Sequence, residues 1–153
     1  MSGGERGAEI IIDTREQTPL TFPTLPSCRG TLYTGDYSIP GFEEHFAIER
    51  KSLDDLAGSL GQGRDRFARE LHRLRGFDFA RLLVVGTRKQ IEAHDYRSRM
   101  APASVLGSLD AFEVRYRVPV VFCPTPKVAA RQVERWACYF HRECRNRVGA
   151  AKC

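Results

Sequence analysis

No stretch of this chain is apolar for long enough to cross a bilayer, and nothing at its start reads as a secretory leader. Cysteine is sparse and unpatterned. The five residues Cys28, Cys123, Cys138, Cys144 and Cys153 are odd in number and include no CxxC pair, which argues against a disulfide framework or a zinc ribbon. A reducing, cytoplasmic or nucleoid-associated setting is therefore expected rather than a secreted one. Cys138, His141 and Cys144 fall at i, i+3 and i+6 on one helical segment, but that is no zinc-ligand spacing, and Cys138 is expected to pack as a small hydrophobe. His45, His72 and His94 stand alone, and no Ser/His/Asp arrangement is marked. Internal repeats, low-complexity tracts and long linkers are also missing, which leaves one domain.

What is present describes a globular α/β chain with a polyanionic partner. With 153 residues, 42% hydrophobic and 28% charged, the chain can bury a real core. Its net charge of +5 favours a polyanionic partner such as nucleic acid. Residues 9–147 are expected to form the domain, with 1–8 and 148–153 as flexible ends. Strands are predicted at 9–13, 31–34, 46–51, 81–85 and 118–122. Helices are predicted from Ser52, from Arg64 to a stop at Gly76, near 89–94, over 103–115 after Pro102, and over 128–148. Strands alternating with helices imply a partly parallel sheet, and the continuous apolar run LLVVG reads as a strand buried on both faces.

The chemistry concentrates between Gly35 and Leu56, in GDYSIPGFEEHFAIERKSLDDL. In the strand FAIERK side chains alternate, so Glu49 and Lys51 share a face with their backbones roughly 6–7 Å apart, while Arg50 points the other way. Asp36 follows a turn glycine, and a hairpin through Pro40 and Gly41 would bring it beside Glu49. Two close carboxylates repel, and a bound divalent cation removes that penalty. Hard oxygen ligands suit Mg²⁺, with Mn²⁺ as a substitute, rather than Zn²⁺. Such a site would serve phosphodiester hydrolysis, the metal polarising the phosphoryl group and Lys51 offsetting the charge that develops on it. An isolated E-x-K is ordinarily an exposed ion pair worth about 0–1 kcal/mol. Here the neighbouring residues argue otherwise.

The string Gly35-Asp36-Tyr37 followed by Ile48-Glu49-Arg50-Lys51-Ser52-Leu53-Asp54-Asp55-Leu56 resembles the nuclease signature of the XPF-type (ERCC4-domain) structure-specific endonucleases, GDY…(I/V)ERKxxxDL. Upstream, Glu9–Glu16 resembles that family's first strand with its D-x-R-E ending; downstream, Ser59–Leu74 resembles its S-I-x-x-G-R stretch, whose arginine matches Arg64. The resemblance implies a restriction-endonuclease-like (PD-(D/E)XK) mixed sheet flanked by helices, and a Mg²⁺-dependent DNA endonuclease. Asp36 and Glu49 would hold the metal and Lys51 would be the catalytic lysine. Asp13, Arg15 and Glu16 would line the same cleft. Asp55 matches the last acid of the signature, although Asp54 and Asp55 also lie in the first turn of a helix, where negative charge is favoured. Arg50 would serve a structural or DNA-backbone role.

Two arginine-rich helices complete the reading. Phe67, Leu71 and Leu74 make a core-facing stripe, with Arg64, Arg66, Arg69, Arg73 and Arg75 on other faces; following the catalytic strand directly, Arg64 and Arg66 are expected at DNA phosphate. In the last helix Val133, Trp136, Ala137 and Phe140 face inward, and the outer arginines read first as a solvated face. Trp136, Tyr139 and Phe140 fit either that core stripe or a contact with a second copy or partner subunit, since family members dimerise through their later helices. Family members also commonly carry helix-hairpin-helix modules, and this sequence shows no such repeat. Branched, flapped or forked DNA, in repair or recombination, is the expected substrate class; a non-catalytic DNA-binding or scaffold subunit is the alternative. The sequence equally suits a compact stand-alone nuclease or a piece of a longer protein.

Overall fold

The computed structural model describes residues 7–151. Six strands form one sheet: β1 (Ile10–Asp13), β2 (Ser27–Gly30), β3 (Tyr37–Ser38), β4 (Phe46–Ser52), β5 (Phe79–Val85) and β6 (Val120–Cys123). Their order across the sheet is β2-β1-β3-β4-β5-β6. The strands from β4 to β6 run parallel, as do β1 and β2, while β3 is antiparallel to both of its neighbours. The sheet is mixed because the short hairpin from β3 to β4 reverses the chain, whereas the later strands are joined through helices. Those helices are α1 (Leu53–Leu60), α2 (Arg64–Leu74), α3 (Arg88–Glu92), α4 (Pro102–Tyr116) and α5 (Pro126–Ala151). This is the restriction-endonuclease-like α/β architecture expected from the sequence.

Two cores lie on the two faces of the sheet. On one, Ile10, Ile12, Tyr37, Phe46, Ile48 and Leu83 pack beneath Ala129, Ala130, Val133 and Ala137 of α5. The small residues of that helix let it approach the sheet closely. On the other, Ala47, Leu82 and Val84 pack beneath Leu56 and Leu60 of α1, Phe67, Leu71 and Leu74 of α2, and Val105, Leu109 and Phe112 of α4. Alternation along β5 thus sends Leu83 to one core and its neighbours to the other, so LLVV is buried on both faces as its apolar run requires. The same alternation along β4 sends Phe46 and Ile48 towards α5, and Ala47 towards α1 and α2. Glu49 and Lys51 continue the second series, beyond the point where the apolar core ends.

One predicted strand is displaced. Residues 31–34 are irregular, with a bend at Tyr33 and Thr34, and the strand beside β1 is Ser27–Gly30. The backbone of the later segment is held by side chains instead of a ladder. Leu32 N–H donates to Asp13 Oδ1 at 3.0 Å, and Arg15 Nη2 donates to the Leu32 carbonyl at 2.9 Å. Elsewhere the predicted elements are present with shifted ends, and α5 begins at Pro126 and continues through residue 151. Within that helix Trp136 and Phe140 pack against the α5-side core, while Tyr139 is 64% exposed. Of the expected terminal segments, 1–6 and 152–153 lie outside the described residues, and Ala8 is buried.

The turn into β3 is set by Gly35, whose φ is +88°. A Cβ there would stand 3.0 Å from the Ala47 Cβ, so the residue is glycine for both backbone and space. Replacing it by alanine should lower stability by about 1–3 kcal/mol. Chemical denaturation of Gly35→Ala checks this, and an unchanged midpoint would contradict the fit.

Candidate active site

The second face of β4 opens into a cavity of about 470 Å³, lined at its floor by Asp13, Asp36, Glu49 and Lys51 and at its walls by α1 and α2. Each floor residue is placed by a separate piece of local structure. Asp36 is fixed by backbone bonds on both sides of the hairpin: its N–H donates to the Ile48 carbonyl at 2.8 Å and its carbonyl accepts from Asp13 N–H at 2.9 Å. Its carboxylate Oδ2 accepts the Arg50 N–H at 2.8 Å, which ties it to the catalytic-type strand itself. Glu49 follows from strand alternation and is buried. Lys51, two residues on, brings Nζ to 3.7 Å from Glu49 Oε1 and 5.2 Å from the centre of the Phe67 ring on α2. The ring shields one side of the ammonium and offers its negative face.

The electrostatics are those of an uncompensated acidic pair. Burial lifts the Asp36 carboxyl to about 7, the negative charge of Glu16 adds to the rise, and the Arg50 N–H works against it. Burial likewise pushes Glu49 well above the ordinary carboxylate range, with Asp36 next in importance and Lys51 opposing. Among the described residues Glu49 Oε2 is the buried side-chain polar atom that has no hydrogen-bond partner. A buried carboxylate oxygen with nothing to accept from is costly unless a cation completes it. Among the described residues no three His, Cys, Asp or Glu side chains converge as a ready ligand set. Two hard carboxylates, Asp36 and Glu49, therefore form the donor set, and they fit an ion such as Mg²⁺, which keeps several of its waters.

The other expected site residues divide. Asp13 lines the cavity, but both of its oxygens are engaged, Oδ2 by Arg15 Nε at 2.7 Å and Oδ1 by Leu32 N–H, so it anchors the wall. Arg15 lies at the cavity with most of its side chain exposed, and the Asp13 hydrogen bond holds its proton more tightly still. Asp55 lines the α1 wall, where Ser52 Oγ caps the helix by accepting its N–H. Arg66 is exposed at the α2 wall.

Two placements differ from expectation, those of Glu16 and Arg64, while Arg50 stands on the side expected of it. Glu16 does not line the cavity; it sits behind Asp36, paired with Arg50 at 3.1 Å and accepting from Tyr37 OH at 3.2 Å. Arg50 projects to the α5 side of the sheet, away from Glu49 as strand alternation requires, and Nη2 donates to the Thr18 carbonyl, so its guanidinium braces a loop. Arg64 is turned to α4: Nη1 donates to Ser108 Oγ at 2.9 Å and to the Leu60 carbonyl, and the guanidinium lies 4.6 Å from the Phe112 ring centre. At the first turn of α2 its side chain meets the neighbouring helices before it can reach the cleft.

Sequence reasoning missed Glu70. This residue of α2 lines the cavity, and its negative charge adds to the upward push on the Glu49 carboxyl. A signal was present: Glu70 stands at i+3 from Phe67 and next to Leu71, an acid on the inward stripe of an amphipathic helix. Arg73, opposite it at the mouth, was counted only among the outer arginines.

Residues 12–135 match the family model of the ERCC4 domain. The chain belongs to the ERCC4 domain family. That family consists of nuclease domains, and the match spans the whole cavity described above. The ERCC4 domain here is also similar in structure to XPF from Aeropyrum pernix, with a TM-score of 0.70 at 23% identity, covering 90% of this chain and 67% of that one. A second structure of XPF from Aeropyrum pernix, in complex with DNA, gives a TM-score of 0.67 at 23% identity, covering 90% of this chain and 66% of that one. The chain thus spans about two thirds of the length of these structures. At such identity they establish the fold. No curated protein shows significant similarity to the chain.

The raised Asp36 carboxyl has a consequence for stability. A carboxyl whose folded value lies above its unfolded one binds protons more tightly in the folded state, so its contribution is full below the unfolded value, near 3.8, and is lost as pH rises through about 7. Without divalent metal, Asp36→Asn should therefore gain thermal stability over wild type by several degrees at pH 8, and the difference should shrink by pH 5. Melting curves in EDTA across that range check the sign.

Proposed function

We propose that this ERCC4 domain is a metal-dependent endodeoxyribonuclease that hydrolyses phosphodiester bonds in the β4 cleft. The observation that carries the reading is the buried, unpartnered Glu49 Oε2 beside Asp36, in a cavity that also presents the Lys51 ammonium. Those groups are arranged for a cation and a phosphate together, and an ion pair kept only for stability would leave no oxygen orphaned.

Asp36 and Glu49 would hold the metal, which when bound supplies a Lewis acid for the phosphoryl oxygen and a water of lowered pKa. The chain's own contribution is positioning and charge. Lys51, held by Glu49 and the Phe67 ring, faces the cavity and offsets negative charge that develops on the phosphoryl oxygens. Glu70 adds a further negative charge beside Glu49, which a bound cation would offset. Arg15, Arg66 and Arg73 around the mouth meet the flanking phosphates, in keeping with the +5 charge of the chain. Asp13 and Glu16 act through others, Asp13 by fixing Arg15 and the 31–34 segment, Glu16 by holding Arg50 behind Asp36.

The test is cleavage of labelled flap, fork, four-way junction, single-stranded and linear duplex DNA in Mg²⁺, Mn²⁺ or EDTA. Cutting should require the metal. Glu49→Gln and Lys51→Ala should each reduce it by at least about a hundredfold while melting and DNA binding are retained. Full activity in either variant, or equal cutting in EDTA, would refute the assignment.

A further inference from the structure

Tyr33 is 85% exposed, more than any other large hydrophobic residue described. The chain on each side of it is pinned. Leu32 is buried, donates its N–H to Asp13 Oδ1 and accepts from Arg15 through its carbonyl. Thr34 is buried and its Oγ1 accepts from Arg73 Nε at 3.3 Å, and Gly35 then makes the constrained turn into Asp36. The Arg73 guanidinium lies over the Tyr33 ring at 5.7 Å from its centre. An exposed aromatic on a loop ordinarily moves with the loop. This one is carried on a segment whose backbone is fixed by the residues of the cleft wall.

Tyr33 lines the same cavity as Asp36, Glu49 and Lys51, at the mouth where Arg15, Arg66 and Arg73 also stand. Asp36 is three positions further on, a reach of at most about 10 Å. A phosphate at the floor would therefore put the base of a neighbouring nucleotide within range of the ring. An aromatic platform beside guanidinium groups is how proteins hold single-stranded nucleic acid, the ring stacking on a base and the cations meeting the backbone. In an intact duplex that base is already stacked and paired, and its face is closed to a side chain.

We infer that Tyr33 is a stacking platform for an unpaired base next to the phosphate cut in the β4 cleft, which directs this domain to DNA with single-stranded nucleotides at the cleavage point. The inference rests on the nuclease reading given above and adds to it the residue that selects the substrate. Tyr33 is a positioning residue, since it touches the nucleotide and not the reacting atoms.

The experiment compares wild type with Tyr33→Ala and Tyr33→Trp on a flap or gapped DNA and on a nicked, fully paired DNA, in Mg²⁺. In parallel, 2-aminopurine placed at the unpaired nucleotide beside the junction reports stacking with Glu49→Gln protein, with and without Tyr33→Ala. Tyr33→Ala should raise KM on the flap by about five- to a hundredfold with kcat little changed, Tyr33→Trp should restore it, and the paired substrate should not respond. The fluorescence should be quenched on binding only when Tyr33 is present. Equal KM values for wild type and Tyr33→Ala on the flap, equal losses on both DNAs, or a quench that survives Tyr33→Ala would overturn the inference while leaving the nuclease reading in place. Tyr33-dependent quenching without cleavage on any DNA would sustain the base platform and remove the nuclease reading instead.

Discussion

The constraint on which this molecule turns is the presence of two carboxylates, Asp36 and Glu49, on one buried strip of sheet. Both are pushed towards their neutral forms, by burial first and by neighbouring negative charge second. The fold gives them little internal relief. Lys51 stands 3.7 Å from Glu49, Arg15 is drawn off by Asp13, and Arg50 is on the far side of the sheet with Glu16. Two of these cations are thus held by other acids, and Lys51 alone of the three faces the pair, which leaves a charge deficit at the floor of the cleft. A protein that tolerates such a deficit holds a site whose energy is lowered by what binds there.

The rest of the architecture can be understood as the frame for that strip. The β3–β4 hairpin carries Asp36, the residue before β3, against β4: with Tyr37 opposite Ile48 the register sets Asp36 opposite Glu49, and its carboxylate accepts the Arg50 N–H. The parallel run from β4 to β6 buries the strand behind the site between two cores, which makes the backbone under Glu49 and Lys51 rigid. Helix α2 then closes the side of the cleft. Its Phe67 packs into the core while facing the Lys51 ammonium, and one turn later Glu70 meets Glu49. Helix α2 thus contributes both the ring beside Lys51 and a further negative charge near Glu49.

Much of this was legible in the chain. Period-two alternation in FAIERK placed Glu49 and Lys51 on one side and Arg50 on the other, because that alternation is a property of extended backbone and needs no knowledge of partners. The apolar stripe of Phe67, Leu71 and Leu74 likewise oriented α2. The errors fell where side chains act on backbone at a distance. Residues 31–34 look like a strand by composition, yet Asp13 and Arg15, well separated in sequence, take their N–H and carbonyl groups. Arg64 and Arg66 are near neighbours on one helix and could not be told apart by motif. The first is absorbed by Ser108 and Phe112 of a helix more than forty residues later, and the second faces the cleft.

By itself, then, the sequence determined the class of fold, the strand that carries the chemistry, the pairing of Asp36 with Glu49 and the family to which these residues belong. The strand and the side its residues share rest on local periodicity and turn chemistry, whose range is a few residues, while the family and its fold rest on the match to the GDY…ERKxxxDL signature. Only the tertiary structure decided which charges are free to act. It withdrew Glu16, Arg50 and Arg64 into pairs with other elements, brought Glu70 in from a helix, and set Tyr33 at the mouth of the cleft. The reason is that a charge is spent on whichever partner lies within a few ångströms, and that distance is fixed by packing between elements far apart in the chain.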